Sequence, residues 1–248
     1  MDPALAPWTQ LTADAFAALA DALPARAADL WLRAADPILR HSASDPLRAA
    51  AHSNAGVASL LRSSPREAAA HFTMAQRLWD QSRTQLEHLD MPIAGRSSVF
   101  HLRLAMQHQD RFADLQRRRH LASCAAARAI TKFNAQQAGT VVGRDPHAID
   151  DDQNLIGVLS SAFGPNCVEV RLLRHGADRP DAPPSSDALA AYRDKAHLLA
   201  KRNARARIFA EPFCDDLDRA AQHTALLHRG LAGMQSFSDA HQEPDNEK

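Results

Sequence analysis

The chain has 248 residues, enough to bury one good-sized core or two modest ones, and 45% of them are apolar. Lys and Arg together number 29 and so do Asp and Glu, so no global field holds a polyanion or an anionic membrane, and only local patches remain for that role. Ala and Leu supply most of the apolar fraction, while β-branched and aromatic residues are sparse and Tyr192 is the only tyrosine. That diet favours helix over sheet, so the expected class is all-α or nearly so.

Cys124, Cys167 and Cys214 lie far apart with no CxxC pair, the usage of reduced thiols in a cytoplasmic protein. The amino terminus has no basic stretch followed by an apolar one, and no apolar run approaches the ~20 residues of a spanning helix. No membrane segment is expected.

In chain order, residues 12–23 and 25–40 read as amphipathic helices broken at Pro24. "SASDP" (42–46) is a helix start, with Ser44 or Asp45 as cap and Pro46 in the first turn, so a helix is expected over 46–62. Pro65 restarts a long one to about 89, "DMPIAG" is a loop, and further helices are expected over 97–108 and 111–137. The composition then shifts, with a boundary near 138–145. "TVV" (140–142) and the alternating "VEVRLL" (168–173) read as two strands of a minor β element around an acid-started helix at "DDDQNLIGVLSSAF". A loop rich in Pro, Gly and Asp separates this from helices over 187–204 and 215–233, and the polar residues 235–248 read as a disordered tail. The expected organisation is a helical pair (1–45), a helical array (46–137), a smaller, mainly helical part (138–234) and the tail.

Residues 49–82 form a 34-residue unit with Asn54, Gly56 and Ala58 in its first helix and Glu67, Ala68, Phe72 and Ala75 in its second. Gly56 and Ala68 are small where two helices approach, Phe72 fills the space between them, and Ala75 admits the next helix. This pattern resembles one tetratricopeptide repeat (TPR), an antiparallel helix–turn–helix of that period. It departs from the repeat at His52, Ala55, Pro65 and Asp80. One unit cannot stack alone. Upstream, Ala27, Trp31 and Ala34 repeat the small–aromatic–small spacing, with Ala15 where Gly would stand, at an offset longer than 34. Downstream, residues 97–137 keep the layout, but Arg119 occupies the aromatic slot.

The resemblance implies a non-catalytic adaptor or scaffold that grips an extended peptide or helix of a partner protein on an exposed concave face. By the same resemblance Ala50, Ser53, Val57, Leu60 and Leu61 point to that face, with Asn54 at its rim donating to the ligand backbone. Ser53 and Val57 stand where Lys or Arg would clamp a terminal carboxylate, so an apolar segment is the better occupant. The competing view of those leucines is core packing between units.

Two further classes compete with it. "RHG" at Arg174–Gly176 resembles the phosphate pocket of histidine phosphatases, which would make His175 the nucleophile and Arg174 the clamp. Only 72 residues follow, too few for the remaining sheet and pocket groups. The motif then reads as an element boundary, leaving Arg171, Arg174 and His175 as a contact for an anionic partner. A nucleic-acid-binding regulator would use the basic run 192–207, with Lys195, Lys201, Arg202, Arg205 and Arg207, but only Tyr192 is near to stack on a base. Cations at a helix carboxy terminus explain that run equally well, and Arg202 and Arg205 join the anion-contact set. The histidines form no HExxH and no zinc-finger spacing, so no metal and no cofactor is expected.

Overall fold

The computed structural model describes residues 6–40, 43–90, 109–141, 152–177, 185–205 and 212–227. The described residues fold into helices α1 (Ala6–Ala20), α2 (Pro24–Arg40), α3 (Asp45–Leu61), α4 (Pro65–His88), α5 (Gln109–Val141), α6 (Asp152–Phe163), α7 (Val168–Ala177), α8 (Ser186–Arg205) and α9 (Pro212–His223). Among them there is no strand, and the fold is all-α. No described helix is long and apolar enough to cross a membrane. The expected helix over 97–108, the residue Val142 of "TVV", the Pro-rich loop at 178–184 and the polar tail lie outside the described residues.

Helices α1/α2 and α3/α4 are two copies of one hairpin. Ala15, Ala22, Pro24, Ala27, Trp31 and Ala34 stand 41 positions before Gly56, Ser63, Pro65, Ala68, Phe72 and Ala75. Ala22 and Ser63 both take left-handed backbone (φ 57° and 56°), which costs a non-glycine residue roughly 1–2 kcal/mol. The same capping bonds offset that cost in each turn. Leu23 N donates to Ala18 O at 2.9 Å and Ser64 N to Ser59 O at 2.8 Å, closing the last helical carbonyls, and a proline starts the second helix.

The packing inside each hairpin follows from those residues. A Cβ added to Gly56 would sit 2.5 Å from the Phe72 ring, so the ring occupies the place a side chain would take. Phe72, Ala68 and Ala75 are wholly buried. In the first hairpin Trp31 packs edge-on against Phe16, ring centroids 5.5 Å apart. Arg119, in the expected third aromatic slot, instead reaches out to Asp218.

The carboxy-terminal helices complete the same cores. Both buried clusters draw on helices from the two ends of the chain: Phe16, Val57 and Phe72 share one with Leu172, Tyr192 and Leu226, and Trp8, Leu47 and Trp79 share the other with Phe213 and Leu217. Tyr192 of α8 stacks on Phe16 of α1, and Ser44 Oγ, at the start of α3, bonds Asp216 of α9 at 2.7 Å. Ser44 therefore occupies the cap position without capping α3 through its side chain.

Three expectations are corrected. Thr140 and Val141 of "TVV" are the last residues of helix α5, and "VEVRLL" is helix α7, neither of them a strand. Its alternating Val168, Val170 and Leu172 are buried, but so are Glu169 and Leu173, and 168/172 with 169/173 form the i, i+4 face of a helix. The helix expected over 215–233 starts at Pro212 and stops at His223, and residues 224–227 continue without helix. The reason lies in where their backbone groups find partners.

Candidate functional site

Thr224, Ala225, Leu226 and Leu227 are all buried, so their peptide groups must bond inside the protein. Side chains from three helices supply the partners. On one edge, Asn54 of α3 donates through Nδ2 to His223 O (2.9 Å) and accepts at Oδ1 from Ala225 N (2.8 Å). Two residues on, Asn134 of α5 donates to Ala225 O (2.7 Å) and accepts from Leu227 N (2.9 Å). On the other edge, both from α8, Lys195 Nζ donates to Thr224 O (3.0 Å) and the Tyr192 hydroxyl donates to Leu226 O. Successive carbonyls thus point to opposite edges, as in a strand, and each asparagine presents the donor–acceptor pair of a strand neighbour.

The local sequence explains how these groups come to be inside. Asn54 sits one residue from Ala55 and two from Gly56 on a helix whose small side chains let α4 and α9 come close. Asn134 follows Phe133 on the buried face of α5, with Ile130 and Thr131 one turn earlier. Ser53 Oγ meets Thr131 Oγ1 at 3.1 Å, and Trp79 Nε1 donates to the same hydroxyl at 3.2 Å, which ties α3, α4 and α5 together behind the two amides. Thr224 Oγ1 returns to Ala220 O at 2.9 Å and closes the end of α9.

The α8 edge carries charge. Lys195 and Glu169 of α7 form a buried ion pair, with the Lys195 ammonium also 4.5 Å above the Phe16 ring. A buried ammonium is tolerable only with such partners. Burial, and secondly the Glu169 carboxylate, push the Tyr192 phenol well up, so it remains a donor at any physiological pH. Burial and then Glu169 likewise raise the nearby Cys167 thiol. Glu169 and Lys195 also form part of the wall of a cavity of about 940 Å³, together with Cys167, Arg119 and Asp218.

The residues expected on an exposed concave face lie inside. Asn54 is 2% exposed and is no rim residue, Ala50, Ser53, Val57 and Leu61 are buried, and Leu60 is half-buried. Packing of α3 between its neighbours consumes that face. Of the six, only Asn54 touches the 223–227 segment by hydrogen bond. Arg171 and Arg174 are on α7, where Arg171 pairs with Asp194 at 3.0 Å and Arg174 is exposed. The side chains of His175, Arg202 and Arg205 lie outside the described residues. The helix α7 stands where a histidine phosphatase would need its first strand. In the basic run, Tyr192 and Lys195 face inward and only part of the expected charge remains on the surface. His120 pairs with Asp218 at 2.9 Å and Cys124 donates to Trp79 O, so the two do not converge on a common point.

Asn134 and Glu169 are not singled out by the sequence, and Tyr192 and Lys195 draw notice there only as members of the basic run 192–207. Their signal was present, since each is a polar residue on the apolar stripe of its helix, but a stripe does not say which distant segment it meets. No known family, curated protein or solved structure matches the chain.

Proposed function

We propose that this chain is a non-catalytic protein-interaction scaffold of TPR-like helical hairpins, working by holding a polypeptide segment through its main chain. One observation carries the reading. Two asparagines, on α3 and α5, each clasp a C=O and an N–H of one segment at a two-residue offset. Main-chain bonding gives affinity for a strand-like segment, and the apolar walls choose its side chains. The chain's own residues 223–227 occupy the groove in the structure, so the partner segment takes their place or extends them.

Affinity purification with the tagged full chain tests this. A protein partner is expected to be recovered with the native chain and lost with Asn134→Ala, both chains having the same helix content by circular dichroism. Recovery that does not change with a folded Asn134→Ala variant rejects the groove as the contact.

A further inference from the structure

We propose that Cys167 is an acyl-acceptor site: its thiol takes the acyl group of a small thioester that enters the cavity of about 940 Å³, with Glu169 as the base and Lys195 holding that base in place. The proposal goes beyond the scaffold reading and does not rest on it. The local chain builds the site. In "GPNC" (164–167) Gly164 takes a positive φ of 97°, and Cys167 N donates to Gly164 O at 3.1 Å. Cys167 O accepts from Arg171 N at 3.1 Å, the first bond of α7, so Cys167 stands at the cap position. Its sulfur accepts from Val170 N–H, as a capping side chain does, and its thiol is bonded to the Glu169 carboxylate. Glu169 in turn pairs with Lys195, side chains 9% and 7% exposed. A nucleophile on a base, and a base oriented by a third group, is the arrangement that activates a weak nucleophile.

Access separates this thiol from the other two. Cys167 is half-buried and lines the cavity, while Cys214 is buried and Cys124 is buried and pushed up to about 12. A helix start by itself lowers a thiol. At Cys167 burial, and then Glu169, win and raise it, so the thiol is neutral and must lose its proton as it attacks. The S–H bond breaks toward a Glu169 oxygen, and the sulfur bonds the acyl carbon. The oxyanion is met by Val168 and Glu169 N–H, which have no acceptor within α7. The bond from the acyl carbon to the leaving sulfur then breaks, and that sulfur takes the proton back from Glu169. One thioester replaces another, with no oxidant and no water consumed. The leaving group selects the class. A thiol, with an ordinary pKa of about 8.5, leaves readily with a proton from a carboxylic acid, whereas an ester or amide must expel a far stronger base. Phe163, Val168 and Leu198 give the cavity apolar wall for the acyl chain. Transfer stops at one acyl group per chain, so the protein is an acceptor and does not turn over.

The test incubates the full native chain with phenyl thioacetate and follows each cysteine by peptide mass spectrometry. Acetyl is expected on Cys167, with an equal amount of thiophenol released, and on Cys124 and Cys214 at least ~10-fold more slowly. The charged groups acting on the thiol are Glu169 of its own helix and Lys195 of α8. With Glu169 taking the proton, the rate should change less than about threefold between about pH 6.5 and 8.5, whereas reaction through free thiolate gains about tenfold per pH unit. Glu169→Gln, its fold checked by circular dichroism, should slow transfer about 100-fold. A carboxylate that only raises the thiol would act the other way, and its removal would speed transfer. No acetyl on Cys167, a tenfold rise per pH unit, or a folded Glu169→Gln chain that reacts as fast as native each overturns the proposal. The pH profile is read on the native chain, so it decides the matter even where Glu169→Gln does not fold.

Discussion

Helix α3 holds two neighbours by different physics. Toward α4 the contact is one of shape, with Gly56 leaving the space that the Phe72 ring fills. Toward residues 223–227 it is one of hydrogen bonds, with Asn54 matched to main-chain groups and almost blind to side chains. A shape contact fixes one partner, because a ring fits one hole. A main-chain contact accepts any segment that can lie straight, and selection falls to the residues around it. The same helix therefore serves as fixed framework on one side and, in the proposed function, as a receiving edge on the other.

The largest expected effects probe the framework side. Phe72→Ala removes a wholly buried ring and leaves a cavity against Gly56, and should cost about 3–5 kcal/mol in urea unfolding. A loss under about 1 kcal/mol would mean the two helices close up, and the shape argument would fail. At the receiving edge, Lys195→Met strands the Glu169 carboxylate in the core and should cost about 3–5 kcal/mol, while Lys195→Met/Glu169→Leu should recover most of it. No recovery in the double variant would show that Lys195 matters for Thr224 O more than for the charge pair.

A smaller effect distinguishes polar contacts that titrate from those that do not. His52 of α3 and His71 of α4 meet Nδ1 to Nδ1 at 3.0 Å, so one nitrogen must donate and the other accept. Burial, then the His71 and Arg48 charges, lower His52 to about 4, and burial lowers His71, with Glu67 opposing. Both rings are neutral in the folded chain and must gain protons in acid, where the unfolded rings already carry them. Stability is full above pH ~6.5 and falls as pH drops toward about 4, by on the order of 1 kcal/mol, because the rings are only half-buried. His52→Gln should flatten that slope without touching the segment. A slope unchanged in the variant would assign it to other groups. The smallest effect lies on the surface. Arg128 and Asp80 join α5 to α4 at 2.7 Å, both exposed, and Arg128→Ala should cost under about 0.5 kcal/mol.

The framework was legible in the sequence where its information is local. Gly56, Ala68, Phe72 and Ala75 lie within twenty residues of each other, and their sizes alone predict the hairpin. The copy at Ala15–Ala34 was visible as well, but its spacing is 41 and not 34, because the turn and the link to α3 are set by capping and by Pro46, not by the period. The receiving edge was not legible. Asn54 drew notice for bonding a ligand backbone, yet its partners are 169 and 171 positions away and Asn134 is bonded 91 and 93 positions away. Residues 224–227 themselves read as more helix, since Ala and Leu are good helix formers. Four side-chain donors overrode that propensity.

The most direct test of the account is a double-mutant cycle between Asn54→Ala and Asn134→Ala in the full chain. Each single change leaves an N–H and a C=O of the segment without partners and should cost about 2–3 kcal/mol. Because both hold the same segment, freeing it once should make the second loss cheap, with the double variant more stable than the sum by about 1 kcal/mol or more. Costs that add to within about 0.5 kcal/mol would contradict the claim that the two asparagines form one clasp.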